Sequence, residues 1–198
     1  MRLHSLGRAT QLEWNHRMKR QNKWIALALI VVLAIVCVVG AKGPESQPAS
    51  EADAAISAGK LPAGYRDWRL ISVAREEGDL DDIRAVLGND TAIDAYRAGT
   101  RPFPDGTIIA RLAWSFDASP ENNKTFGKDQ SFVAGHPKNG VQFMVKDSVK
   151  YASTGGWGYS QFDDGKALTD AAAIQSCFDC HKAVKNNDRD YVFTRYAP

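Results

Sequence analysis

Pro104-Asp105-Gly106-Thr107-Ile108-Ile109-Ala110-Arg111-Leu112-Ala113-Trp114 is the stretch on which the fold turns. Proline presets φ and glycine accepts a positive φ, so Pro-Asp-Gly predicts a tight turn. From Thr107 to Trp114 the chain is a short, mainly apolar run bounded by that turn, which predicts a well-buried strand. Side chains alternate across a strand, so Arg111 shares a face with Thr107 and Ile109.

Outward from it, Val141-Gln-Phe-Met-Val-Lys146 alternates apolar and mixed positions, and Tyr65-Arg-Asp-Trp-Arg-Leu-Ile-Ser-Val73 is aromatic and β-branched. Both predict strands. Gly155-Gly-Trp-Gly158 bends the chain ahead of Tyr159-Ser-Gln-Phe162, and Tyr191-Val-Phe-Thr-Arg-Tyr196 is strand-like. Asn89-Asp90 caps a helix from Thr91 to Ala98, with Ile93 and Tyr96 on one face and Gly99 as its stop. Ser119-Pro-Glu-Asn-Asn123 reads as a loop. A last helix is expected from Asp170 to about Lys185, capped by Thr169 and ending near Asn186. The fold class is α+β: mainly antiparallel sheet, a few short helices, and a C-terminal helix.

Ahead of this domain, residues 24–41 form an uncharged apolar run of 18, preceded by Arg17, Lys19, Arg20 and Lys23. A basic flank before such a run is an export signal whose basic end stays cytoplasmic. Its length fits either a cleaved signal, with Val39-Gly40-Ala41 as small residues for cleavage, or a retained membrane anchor. Met18 offers an alternative start to Met1. The expected organisation is therefore a basic tail and signal or anchor over 1–42, a tether over 43–60, and one domain over 61–198. The tether's first residues are rich in Pro, Ser and Glu. Residues 43–198 hold 18 Lys/Arg against 22 Asp/Glu, a mildly acidic balance that argues against nucleic acid as partner. Membrane contact is expected only through residues 24–41, and the domain is expected outside the cytoplasm.

Of three cysteines, Cys37 lies in the apolar run, leaving Cys177 and Cys180 in Cys177-Phe178-Asp179-Cys180-His181. Spacings of three and four residues put both thiols and the imidazole on one helix face. Two thiols can then add to the two vinyl groups of one haem while His181 reaches its iron, the signature of c-type attachment outside the cytoplasm. A disulfide would leave the adjacent histidine unexplained. A thioredoxin-like pair belongs after a strand in a βαβ unit. Zinc would need a fourth ligand, for which His136 is the obvious donor. The reading is one covalent haem c.

What such a haem does depends on its second axial position. Met144, in a strand, and His136, in a Gly-His-Pro loop, are the candidate sixth ligands, each with an ordinary alternative as core filler or solvated side chain. A five-coordinate iron favours binding of a small ligand over electron transfer alone. Phe103, Phe132 and Phe143 are candidates to cap the distal side, though for any one of them plain core is the more ordinary reading.

Six stretches in order, Gly64-Tyr-Arg-Asp-Trp68, Phe103-Pro-Asp-Gly-Thr-Ile108, Val145-Lys-Asp-Ser148, Gly155-Gly-Trp-Gly158, Cys177 to His181 and Val192-Phe-Thr-Arg-Tyr196, resemble the cytochrome P-460 family, which includes the c-prime-beta cytochromes. The resemblance implies a sheet-rich haem domain, a homodimer and a periplasmic location. Catalytic members oxidise hydroxylamine and cross-link their porphyrin to a lysine, which falls in the strand after the Asp-Gly-Thr-Ile turn. This chain has Arg111 there, and a guanidinium offers no nucleophilic amine. The resemblance thus implies the c-prime-beta type, which binds nitric oxide beside an apolar, Phe-lined distal side. Arg111 is then a candidate to pair with a haem propionate or a bound anion, against a plain surface or interface role. Two other readings stay open: an oxidoreductase of hydroxylamine or nitric oxide that passes electrons to a partner cytochrome, and a low-spin electron carrier.

Overall fold

The structure is a computed structural model that describes residues 49–186 and 188–197. The expected signal or anchor over residues 24–41 lies outside the described residues, and no helix among those described is long and apolar enough to cross a membrane. Ser46–Pro198 forms one compact unit.

Six strands follow one another as an antiparallel meander: β1 (Arg69–Glu76), β2 (Asp82–Gly88), β3 (Ile108–Ala118), β4 (Phe132–Lys146), β5 (Trp157–Asp163) and β6 (Lys166–Ala167). Four α-helices lie among the described residues: α1 (Ala49–Ser57), α2 (Asp90–Ala98), α3 (Pro120–Phe126) and α4 (Ala171–His181). The α+β class and the C-terminal helix carrying Cys177 and Cys180 agree with the sequence.

Register divides the sheet into two faces. Ile109 pairs with Met144 and Met144 with Tyr159, and Arg111 pairs with Val86 and with Gln142; these side chains share the first face. There Ile71, Val86, Ile109, Met144 and Trp157 are covered by Ile93 and Tyr96 of α2. On the second face Ile108, Ala110, Leu112, Phe143 and Phe162 pack under Ala52 and Ile56 of α1.

Several expectations are corrected. Helix α1 occupies part of the stretch expected as a tether, because Ala52 and Ile56 stand four apart and share one helical face. The first strand starts at Arg69, not Tyr65, since Gly64 in left-handed backbone opens a 3-10 turn over Tyr65–Asp67. Ser119 to Asn123 is not a loop. Ser119 sits at the N-cap position of α3, Pro120 suits a first helical turn, and buried Asn123 accepts the Gln130 and Ser131 N–H groups. Helix α4 is capped by Asp170, whose carboxylate takes the Ala172 and Ala173 N–H groups, rather than by Thr169. It ends at His181 and continues as a 3-10 turn, Lys182–Val184. His136 lies in strand β4, its N–H on Ser115 Oγ, and not in a loop. Residues 191–196 form no strand. Their carbonyls go to side chains instead, Thr194 to Tyr96 Oη and Val192 and Phe193 to Arg189.

Candidate functional site

Helix α4 presents Cys177 and Cys180 one turn apart, both as free thiols, Cys177 half-buried and Cys180 exposed. Burial pushes the Cys177 thiol above its ordinary pKa. The helix buries none of its residues fully. Its C-terminal end is seated on aromatic rings: His181 lies 5.2 Å from the Tyr159 ring and 5.0 Å from Phe193, and Phe178 stacks 5.9 Å from Tyr191.

His181 Nδ1 is 2.6 Å from the carbonyl oxygen of Tyr191. A carbonyl can only accept, so Nδ1 carries the hydrogen and Nε2 presents its lone pair. Burial lowers the pKa of the ring, which keeps the imidazole neutral near pH 7. That combination, a neutral ring tied at Nδ1 by a backbone carbonyl, is the state in which histidine binds metal.

The other predicted residues are dispersed. Arg111 lies on the first face, which α4 also covers through Tyr159, as its alternation with Ile109 requires. Its guanidinium donates to Asp82 Oδ2 and, at 3.0 Å, to Gln142 Oε1. Burial and the neighbouring Arg84 lower its pKa, while Asp82 opposes them. Met144 is buried on the same face, in the cluster against which Tyr159 and Tyr191 pack. Phe103 is core beneath α2, edge-on to Tyr96 at 4.9 Å and to Trp157 at 5.7 Å. Phe143 points to the second face, among Tyr65, Trp68 and Phe162. Phe132 and His136 are exposed at the start of β4. His136 and Met144 stand toward opposite ends of β4, with a register shift and left-handed Asn139 and Gly140 between them.

Two groups at the site have no signature in the sequence. The Tyr191 carbonyl is backbone, and Tyr159 is one tyrosine in a strand. Tyr159 Oη is buried without a hydrogen-bond partner, and burial, with Cys177 next, raises its pKa so that it stays an O–H donor. Only its position directly after Gly155-Gly-Trp-Gly158 could have singled it out.

The residues present fit haem. Two free thiols and an oriented imidazole share one end of one helix, and Tyr159, whose buried hydroxyl has no partner among the described residues, sets its ring against His181 from the sheet. The arrangement is an antiparallel sheet with this helix laid on one face. The family model for cytochrome P460 matches residues 62–194, and the chain belongs to that family. Its cofactor is therefore haem. No curated protein matches the chain.

Proposed function

We propose that this chain is an exported mono-haem cytochrome c whose iron binds nitric oxide, or a related small nitrogen oxide, on the side opposite His181. Cys177 and Cys180 would each add S–H across a haem vinyl group, and His181 Nε2 would ligate the iron. The haem supplies the ligand-binding metal; the chain supplies its attachment, the axial imidazole and the shielding rings. Attachment of this type takes place outside the cytoplasm, which is the reason to read residues 24–41 as the export segment.

The observation that carries an open iron is the placement of the candidate sixth ligands. A sixth ligand must stand across the iron from His181. Met144 instead is buried in the first face of the sheet, directly across the strands from Tyr159 and in the cluster against which Tyr159 and Tyr191, the residues that hold the imidazole, pack. His136 stands exposed far down β4. Arg111, engaged by Asp82 and Gln142, has no amine to join a porphyrin, which weighs against hydroxylamine oxidation.

A spectrum of the matured protein tests this. High-spin ferrous haem that takes up carbon monoxide and nitric oxide is expected. A low-spin spectrum indifferent to carbon monoxide would establish an electron carrier instead. A red-shifted ferrous Soret band, with turnover of hydroxylamine by an artificial acceptor, would establish the oxidoreductase.

A further inference from the structure

Three stretches distant in sequence meet at Asp190. Lys146 enters from the end of β4 with its side chain 6% exposed, against 7% for Asp190. Its Nζ lies 3.0 and 3.1 Å from the two carboxylate oxygens and 3.1 Å from the Gly155 carbonyl. Oδ2 of Asp190 also accepts the Phe103 N–H at 2.8 Å, and Trp157 Nε1 donates to the Asp190 backbone carbonyl at 2.9 Å. Desolvating two charges is costly, and good geometry with further hydrogen bonds is what offsets it. Both conditions are met here.

The pinned backbone is unusual. Asp190 and Tyr191 both have left-handed φ, 45° and 66°, which residues with side chains seldom adopt and which persists only where the surroundings impose it. The surroundings are the ion pair, the indole bond and Gly155. A Cβ on Gly155 would lie 2.3 Å from the Tyr191 ring, so the ring seats there only against glycine. The result of this conformation is the direction of the Tyr191 carbonyl, which points at His181 Nδ1.

We propose that Lys146 and Asp190 are positioning residues for His181: their buried pair holds the 190–191 backbone so that the Tyr191 carbonyl takes the Nδ1 hydrogen. Neither residue touches the iron. A carbonyl on Nδ1 fixes the ring plane and strengthens Nε2 as a donor, and loss of such partners typically costs about 10- to 100-fold in metal affinity or activity. The same arrangement explains why Phe103, Lys146 and Gly155 to Trp157, spread through the chain, belong to one constellation. The inference rests on the haem reading above.

The test uses full-length, haem-loaded protein and the variants K146M, D190N and W157F. The readouts are the iron–histidine stretching band of the ferrous protein and the midpoint potential. K146M and D190N are expected to move the band to lower frequency and the potential upward. The double variant should go no further than either single one, because both break one pair. W157F should shift both readouts less and in the same direction. K150M, which removes a half-exposed cation paired with Asp53, should shift neither. Unmoved values in haem-loaded K146M and D190N would overturn the positioning role. If K146M does not fold, unmoved values in D190N and W157F overturn it equally. A wild-type protein with no iron–histidine band would instead defeat the open, His181-ligated iron, and the potentials would then decide the positioning role alone.

Discussion

The two faces of one sheet are built from alternate residues of the same strands, yet they are made differently. On the second face Ile108, Ala110, Leu112, Phe143, Val145 and Phe162 pack as one apolar layer, interrupted by the buried hydroxyl of Ser160 opposite Phe143, and Phe143 alone makes edge contacts with three rings. The first face carries a polar row across four strands, from fully buried Asp82 and its partners Arg84 and Arg111 through Gln142 to Gln161. The Lys146–Asp190 pair lies buried beyond its apolar part, near the imidazole. An apolar layer would be cheaper in free energy than these ions. The first face keeps them because it has to orient groups, whereas the second has only to exclude water.

The largest effect that can test this division is on the helix above the first face. Replacing both Cys177 and Cys180 by Ser should abolish covalent haem, giving apo or non-covalently loaded protein. Haem that survives denaturation of that variant, read by a haem stain on a denaturing gel, would break the assignment of the first face.

Two truncations, one on each side of β4, sharpen the contrast. Phe143→Ala on the second face should cost about 4 kcal/mol, since a nearly inaccessible ring leaves a cavity among rigid neighbours. It should leave the visible spectrum unaltered. Met144→Ala, on the neighbouring residue but the first face, should cost about 3 kcal/mol. Its spectrum should also match the wild type if Met144 is core. Conversion of a low-spin spectrum to a high-spin one in Met144→Ala would make Met144 a ligand after all. Denaturant midpoints and ferric spectra of the two variants read both quantities.

Legibility in the sequence followed the same division. Strand β3 and the end of β4 were readable because apolar residues dominate Ile108–Leu112 and Val141–Val145, Arg111 and Gln142 apart. Strand β5 was read only as a bend at Gly155–Gly158, whereas Trp157 and Gly158 already belong to it. Strand β2 was not readable, because Asp82 and Arg84 interrupt its apolar pattern, and the pair is completed only by Arg111 on another strand. Helix α1 was read as tether since its Ala, Ser and Glu content resembles a solvated linker; Ala52 and Ile56 dock it on the sheet, with Lys150 bonded to Asp53 and Ser57 at its edge. At the site, local spacing revealed Cys177, Cys180 and His181. The partner of His181 could not be read in that way, because it is a main-chain carbonyl aimed by a left-handed backbone that Lys146 helps to hold from the end of β4. Tyr191 to Tyr196 was misread for a related reason: its composition suits a strand, but β1 takes only one bond from this end of the chain, Ala197 N–H to the Ile71 carbonyl.

The smallest expected effect separates the faces most finely. Tyr159 Oη is buried and has no partner among the described residues, while its ring lies near Phe178, at 6.3 Å, and His181, at 5.2 Å. A buried hydroxyl without a hydrogen bond is destabilising by about 1–3 kcal/mol. In the apo protein obtained with Cys177→Ser and Cys180→Ser, Tyr159→Phe should therefore be neutral or stabilising. In the loaded protein the hydroxyl has an acceptor within reach if the haem lies over this face, and removing it should cost about 1 kcal/mol. Unfolding curves of the two backgrounds should thus move in opposite directions, or at least differ by that amount. Equal shifts in both would mean that Tyr159 Oη meets no part of the haem, and the first face would then serve the imidazole alone.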